Sequence, residues 1–516
     1  MASAAIPSAI PDEPKPLTGI PLLIAALAIG FGNFLVVLDT TIANVSIPSI
    51  AGSLGVSASQ GTWVITSYAV AEAITVPLTG WLTRRFGATR VFITCYLAFG
   101  VISILCGLAM SLGMLITGRV LLGLAGGPLM PLSQMLLLRI FPKEKATLAG
   151  IIWAMTTLIA PVAGPILGGI ISDSIGWQWI FFMKVPIALI GGTVAWYMLR
   201  GQPDPREKAS IDFVGLALLI IWVGALQIML DEGRNHDWFA STQIVGLAVV
   251  AVVGFIAFLI WELTEKNPIV DLRIFRHRGF TAAAITYSVG FAAFFASLVL
   301  IPLWLQTNMG YTATWAGYAT GIMGLLAIVS APPVGKSIEK IDARLIICIG
   351  LVGLAAVHFW RLSFTPDVTF WQMAGPTLVS GIFMVMFFIP VTGLAMASVD
   401  PEEAANAAGL SNFMRTIAGA FAAALAQTGW SNAARTSQTE LAGAMTHADA
   451  TVGEMVAGGM PPDAAVASLS YIVEGQSLMM ATLYMFGIIA VIFLLSATLI
   501  WFAPRPTGPI DTTAAH

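Results

Sequence analysis

The chain is 516 residues long, 57% hydrophobic and only 10% charged, where a soluble globular chain carries about 25% charged residues. A net charge of -3 leaves no basic surface for nucleic acid. Those figures exclude a soluble domain and a nucleic-acid-binding protein, and they describe an all-α polytopic membrane protein, since backbone in lipid must satisfy itself inside helices or closed barrels.

Each crossing needs about 20 apolar residues. On that basis the sequence predicts about fourteen transmembrane helices, over 18–47, 58–80, 91–110, 113–139, 146–171, 178–199, 211–230, 242–262, 279–306, 312–334, 343–362, 370–398, 404–428 and 476–503. The polar leader 1–19 is a cytoplasmic tail, and the first apolar run is too long for a cleaved signal peptide. Residues 20–205 form one six-helix half. Residues 206–265 hold two inserted linker helices, expected to be peripheral to the two halves. Residues 266–505 form the second six-helix half, with a periplasmic loop over 430–476, and 506–516 is a second cytoplasmic tail.

Most lysines and arginines fall in every second connection, among them Arg84, Arg85, Arg90, Arg139, Arg273, Arg276 and Arg344. The positive-inside rule places those connections and both termini in the cytoplasm. Arg234, Arg361 and Arg435 are then assigned to outer loops. Two glycine-led basic turns, at 80–90 and 335–344, point to an internal repeat. Paired repeats around a site near the midplane are the build of secondary transporters.

Charges inside the spans are few, and each is costly there. Asp39 in the first helix and Glu72 in the second are the acids. Arg119, Lys184 and Arg415 are the bases. Asp39 and Arg119 fall about 12 and 9 Å from the outer ends of their predicted helices, so they are natural partners. Their bridge either switches during a transport cycle or merely fixes packing. Glu72 is either a second proton site, a contact for cationic substrates, or one half of a further pair. Lys184 can snorkel to the outer interface or face a cavity. Arg415 faces a polar cavity or backbone carbonyls. Asn33, Asn44 and Gln134 add polar groups for a substrate cavity.

Small residues four apart in Ala160-Pro161-Val-Ala-Gly164-Pro165-Ile-Leu-Gly168-Gly169 allow close helix approach, and Pro161 and Pro165 invite a kink. Gly123, Gly126, Gly127 and Pro128 form a related run. The stretch Ser330-Ala-Pro-Pro-Val-Gly335-Lys336-Ser337 resembles a phosphate loop only at its end, because Ser330 stands where the first glycine is required. His236, His277, His358, His447 and His516 show no metal spacing, and neither do Cys95, Cys106 and Cys348. An enzyme is a poor reading, and no cofactor is expected.

At these motifs the chain resembles the major facilitator superfamily, and within it the fourteen-span drug:proton antiporters of the EmrB-type multidrug exporters. Leu38-Asp39-Thr40-Thr41-Ile42-Ala43-Asn44-Val45 is similar to their first-helix signature. The turn from Gly80 through Gly87 to Arg90 looks like their inner-loop motif, Arg119 with Gly123 like their fourth-helix motif, and Gly164-Pro165-x-x-Gly168-Gly169 like their antiporter motif. The resemblance spans about residues 20–505. It departs at Leu122, where the fourth-helix motif often has Gln; at Arg84, where most facilitators have Asp; at Lys184, where these exporters usually have Asn; and at Glu72.

The resemblance implies a major facilitator fold of two six-helix halves plus two inserted helices. It implies export of small hydrophobic compounds across the bacterial inner membrane by alternating access, driven by the proton gradient. It further implies a periplasmic membrane-fusion adaptor and an outer-membrane channel as partners. Asp39 and Arg119 take the proton-coupling roles by their motif positions, Glu72 is added as a candidate by its own charge inside the second span, and Gly80, Gly87, Arg90, Gly123, Pro161, Gly164, Pro165, Gly168 and Gly169 take the gating and packing ones. Asp39→Asn is expected to abolish export and leave folding intact. The competing readings are a dedicated exporter of one metabolite, fatty acid or siderophore, and a non-transporting receptor or scaffold.

Overall fold

The structure is a computed structural model that describes residues 19–142, 146–202, 204, 206, 211–236, 238–266, 268–338, 340–400, 403–445 and 448–505. The two tails and the basic residues Lys15, Lys143, Lys145 and Lys208 lie outside that set. Long helices succeed one another: α1 Gly19–Leu54, α2 Trp63–Phe86, α3 Ala88–Gly107, α4 Leu112–Ile140, α5 Ala146–Ser174, α6 Trp179–Leu199 and α7 Phe213–Glu232. There follow α8 Thr242–Thr264, α9 Arg278–Thr307, α10 Ala313–Ile338, α11 Ala343–Arg361, α12 Phe370–Ala397, α13 Ala404–Ala444 and α14 Pro462–Leu499. Among the described residues 11 helices are long and apolar enough to cross a membrane. Of the others, α2 carries Glu72, Arg84 and Arg85, α13 carries Arg415 and Arg435, and α5 offers the shorter apolar stretch Ile159–Ser174.

The element boundaries hold two corrections. Pro48 closes the apolar run in the sequence, yet α1 continues through it to Leu54, because one proline removes a single ladder bond. Gly55, with φ +67°, ends the helix in the left-handed conformation that favours glycine. Asp39 therefore lies about 22 Å from that end, deeper than the sequence suggested. The segment 430–476, expected as a loop, is largely helical: α13 extends to Ala444, a short helix covers Ala448–Ala457, and α14 starts at Pro462.

The repeated turns share a helix cap supplied in two ways. Asp342 sits before α11, accepts from the Arg344 N–H at 3.0 Å and pairs with the Arg344 guanidinium at 2.7 Å. This hydrogen bond and charge hold the Asp342 carboxyl below the usual carboxylate range. At α3 the preceding residue is Gly87, φ +91°, which has no side chain to cap with. Asp204, from beyond the end of α6, accepts from the Thr89 N–H at 3.3 Å and lies 3.7 Å from Arg139. The cap missing at Gly87 is thus supplied from a distant segment.

The first six helices pack round one core and α9–α14 round the other. Two seams join these halves, α5 against α10 and α2 against α13. On the first seam, a Cβ on Gly169 would lie 2.7 Å from the Ala313 carbonyl carbon, and one on Gly317 would lie 2.9 Å from that of Pro165. Gly168 meets α1 on its other side, 3.0 Å from the Ile42 side chain. The same end of the bundle is tied by the Gln306 amide donating to Val45 O at 2.9 Å, and by the Thr314 N–H donating to Asp173 at 2.7 Å. The inserted pair is only half peripheral. Helix α8 is largely exposed, whereas α7 packs on both α2 and α13 across the second seam.

Candidate functional site

Asp39 on α1, Arg119 on α4 and Lys184 on α6 are fully buried and meet. Arg119 Nη1 pairs with Asp39 Oδ2, and Lys184 Nζ pairs with Asp39 Oδ1. One carboxylate thus serves two cations, a set with a net charge of +1. Snorkelling by Lys184 is overturned: its side chain is fully buried, with Nζ held by the Asp39 carboxylate inside this half. Lys184 lines neither of the two cavities described below.

The excess positive charge is met by π faces and a carbonyl. The Arg119 Nε–H donates to Val64 O at 2.7 Å, and its guanidinium carbon lies 4.3 Å from the Tyr68 ring centroid. Lys184 Nζ lies 4.5 Å from the Phe181 centroid and 5.7 Å from that of Phe99. Cation–π contacts of this kind are worth about 0.5–2 kcal/mol, a fraction of what a second carboxylate would give. Arg119 Nη2 remains buried without a hydrogen-bond partner.

Glu72 is buried on α2 and makes no hydrogen bond or ion pair to a described residue. The glycines of α4 bring that turn in: a Cβ on Gly127 would lie 3.0 Å from Glu72 O, and one on Gly123 3.0 Å from its backbone nitrogen. Glu72 lies within electrostatic reach of Arg415. Arg415 stands on α13 with its guanidinium 4.9 Å from the Phe291 centroid, Nη2 3.2 Å from Met130 Sδ, and Nε buried without a partner. Among the described residues it makes no hydrogen bond to a backbone carbonyl and no ion pair. Instead it lines a cavity of about 100 Å³ between the halves, walled by Trp153, Tyr287, Phe291, Phe294 and Phe388.

The remaining polar residues separate. Asn33 donates to Thr156 and Thr157 at 3.0 and 2.7 Å, fastening α1 to α5. Asn44 is buried with Oδ1 unpaired. Gln134 lines a larger cavity of about 480 Å³ at the end of the bundle that carries Arg84 and Lys266. Gly80 lines it too, and Gly87 and Arg90 bound the adjoining turn. Pro161 lines the smaller cavity, while Gly164 and Pro165 sit at the packed seam with Gly168 and Gly169.

A second polar cluster escaped the sequence reading. Arg361, assigned to an outer loop, is 2% exposed. Its guanidinium lies 3.0 Å from His358 Nε2 and donates to Thr377 at 3.1 Å, and Ser297 shares the same His358 nitrogen at 2.7 Å. Arginine only donates, so His358 Nε2 accepts and Nδ1 carries the proton, directed at Leu354 O at 2.8 Å. Position i, i+3 with His358 on a helix was the available signal. The aromatic wall of Tyr287, Phe291 and Phe294 also showed helical spacing in the sequence.

Residues 29–423 match the Major Facilitator Superfamily. The chain belongs to the major facilitator superfamily. That membership makes it a transporter and not an enzyme, and the stretch at Ser330–Ser337, which looked like a phosphate loop, runs inside α10. This facilitator is 42% identical to the multidrug export protein EmrB of Escherichia coli (strain K12) over 96% of its own length and 98% of that protein. It is 39% identical to the fatty acid resistance protein FarB of Neisseria gonorrhoeae, over 95% and 98%. Its fold is similar to that of an auto-inhibited POT family peptide transporter, with a TM-score of 0.63 at 14% identity over 95% of this chain and 100% of that one.

Proposed function

We propose that this facilitator is a proton-coupled antiporter that exports hydrophobic drugs and other lipophilic, neutral or weakly acidic compounds across the bacterial inner membrane. The observation that carries the reading is the unpaired buried Glu72 beside Arg415, at the seam where the small aromatic cavity lies. The Asp39 carboxylate is taken by both Arg119 and Lys184, which leaves Glu72 as the acid free to exchange a proton. With Glu72 ionised, the two seam charges cancel. With Glu72 protonated, Arg415 stands uncompensated and favours an anionic or neutral guest over a dication. Asp39 and Arg119 enter the coupling by rearranging as the halves move, since a buried cation pair on one carboxylate is sensitive to helix position. The likeness to a multidrug exporter supports the drug class.

The bundle is open at the end bearing Arg84 and Lys266 and tied at the end bearing Asp173 and Thr314. With the basic end in the cytoplasm, this is an inward-open state, both termini are cytoplasmic, and the helical segment of 430–476 faces the periplasm. There it docks a membrane-fusion adaptor and, through it, an outer-membrane channel. Purified protein in proteoliposomes, with a pH dye inside and a set of matched neutral, acidic and dicationic probes, tests the reading. Substrate-dependent proton flux with acids and neutrals ahead of dications is expected. Export that ignores the pH gradient, or that favours dications, would overturn it.

A dedicated exporter of one lipophilic acid is the second reading. The likeness to the fatty acid resistance protein favours it, and transport of a single probe from the panel would establish it over the first.

A further inference from the structure

The 480 Å³ cavity at the basic end has a wall that the six-plus-six architecture does not supply. One side is α2 and α4, through Val76, Trp81 and Leu132, and another is α12 and α13, through Met396, Leu410 and Phe413. The third is formed after α8 by Lys266 and by Pro268, Ile269, Val270 and Asp271, together with Asp212 before α7. This strap is fastened. The packing of α7 on α2 and α13 fixes its root, the Trp261 indole N–H donates to both Asp212 oxygens at 3.0 Å, and the Val270 N–H donates to Glu262 at 3.1 Å. Asp212 also caps α7 through the Gly215 N–H at 2.8 Å, and Asp271 accepts from the Arg273 N–H at 3.1 Å.

The charges on this cavity are unequal in what they are free to do. Both acids, Asp212 and Asp271, are occupied by the bonds that hold the strap. Arg84 and Lys266 are exposed at the rim, on opposite walls, and neither side chain makes a hydrogen bond or ion pair to a described residue. Below them lie buried Val76, Leu132, Val270, Leu410 and Phe413. A volume near 480 Å³ is in the range of about 300–1,000 Å³ that takes a drug-sized ligand. An apolar floor under two uncommitted cations fits a molecule with one anionic head and one apolar body.

We propose that this cavity is a capture site for anionic amphiphiles, with Arg84 and Lys266 holding the head and the inserted-helix strap forming a wall against the apolar body. The inserted helices then take part in ligand selection before a guest reaches the seam cavity. The use of the site in export rests on the function proposed above, but binding to it does not. A free lipophilic carboxylate and a lipid phosphate share the required chemistry.

The test is equilibrium binding of a dansyl-labelled undecanoic acid, its methyl ester and the matched primary amine to the full chain in phosphatidylcholine nanodiscs. The acid should bind more tightly than the ester or the amine. Arg84→Gln and Lys266→Gln should each weaken the acid roughly two- to fivefold, the range of exposed ion pairs, and leave the ester unchanged. Ile269→Trp, which fills the cavity from the strap, should weaken acid and ester alike. Adding phosphatidylglycerol distinguishes the source. Competition with the acid in the parent, absent in the double glutamine variant, identifies a lipid headgroup as an occupant, and no competition identifies the free amphiphile; either retains the site. Equal affinity for acid and ester, or an acid affinity untouched in the double variant, overturns it. Binding needs no gradient, so charge-selective binding without proton-driven efflux would sink the export reading alone.

Discussion

Lys184 closes on the one Asp39 oxygen that Arg119 leaves open, so a single buried carboxylate is shared by two buried cations on two different helices. This changes what removal of the acid does. The sequence reading has Asp39→Asn folding normally; with two cations behind it, the substitution leaves both uncompensated, a loss of about 3–5 kcal/mol for breaking a buried pair. Lys184→Met removes the excess charge and retains the Asp39–Arg119 pair, at a smaller cost. Thermal melting in one detergent should rank parent and Lys184→Met well above Asp39→Asn. Equal melting of the two variants would show that the shared carboxylate does not organise this half.

Glu72→Gln should act in the opposite way. The side chain makes no hydrogen bond or ion pair to a described residue, so the neutral isostere leaves stability level or raised. Substrate-dependent proton flux in proteoliposomes should fall to background. Flux at the parent rate would remove Glu72 from the coupling.

The α5–α10 seam has no room for an added methyl. Gly169→Ala sets a Cβ 2.7 Å from the Ala313 carbonyl carbon and the Thr314 Cα, backbone that cannot step aside. Overpacking of this kind costs about 1–3 kcal/mol, and here it weighs only on the state in which the seam is closed. A cysteine at Thr314 should then be labelled faster by a membrane-impermeant maleimide in Gly169→Ala than in its absence. An unchanged labelling rate would mean that the seam adapts.

His358 and Arg361 are predicted to be unequal partners. His358→Leu takes from a buried guanidinium its nearest acceptor, which costs about 1–3 kcal/mol. Arg361→Met removes the buried cation itself, leaving His358 Nε2 with Ser297. The methionine variant should melt above the leucine variant; the reverse order would place a further acceptor on Arg361.

The segment expected to reach the adaptor is now testable by element. Deleting the short helix Ala448–Ala457, with a glycine–serine bridge in its place, should abolish co-purification with a co-expressed adaptor and leave proteoliposome flux intact. Retained co-purification would move the docking surface elsewhere.

The sequence by itself determined the class of fold. Long apolar runs can satisfy their backbones in lipid only as helices, and the alternation of Arg84, Arg139, Arg273 and Arg344 between runs marks one end of the bundle. It also singled out Asp39, Glu72, Arg119, Lys184 and Arg415, because an intramembrane charge is too costly to be incidental. Only the tertiary structure decided how they group. Residues 39, 119 and 184 are far apart in the chain, and whether Lys184 turns inward depends on where α6 begins and on Phe181 and Phe99 being there to receive it. Arg361 read as a loop residue because hydropathy measures how apolar a stretch is and not which way its last turn faces. The capping of α3 by Asp204, and the strap that α7 and α8 lay across the basic mouth, likewise depend on contacts between distant segments. Such contacts are set by packing in three dimensions, which no local pattern of residues encodes.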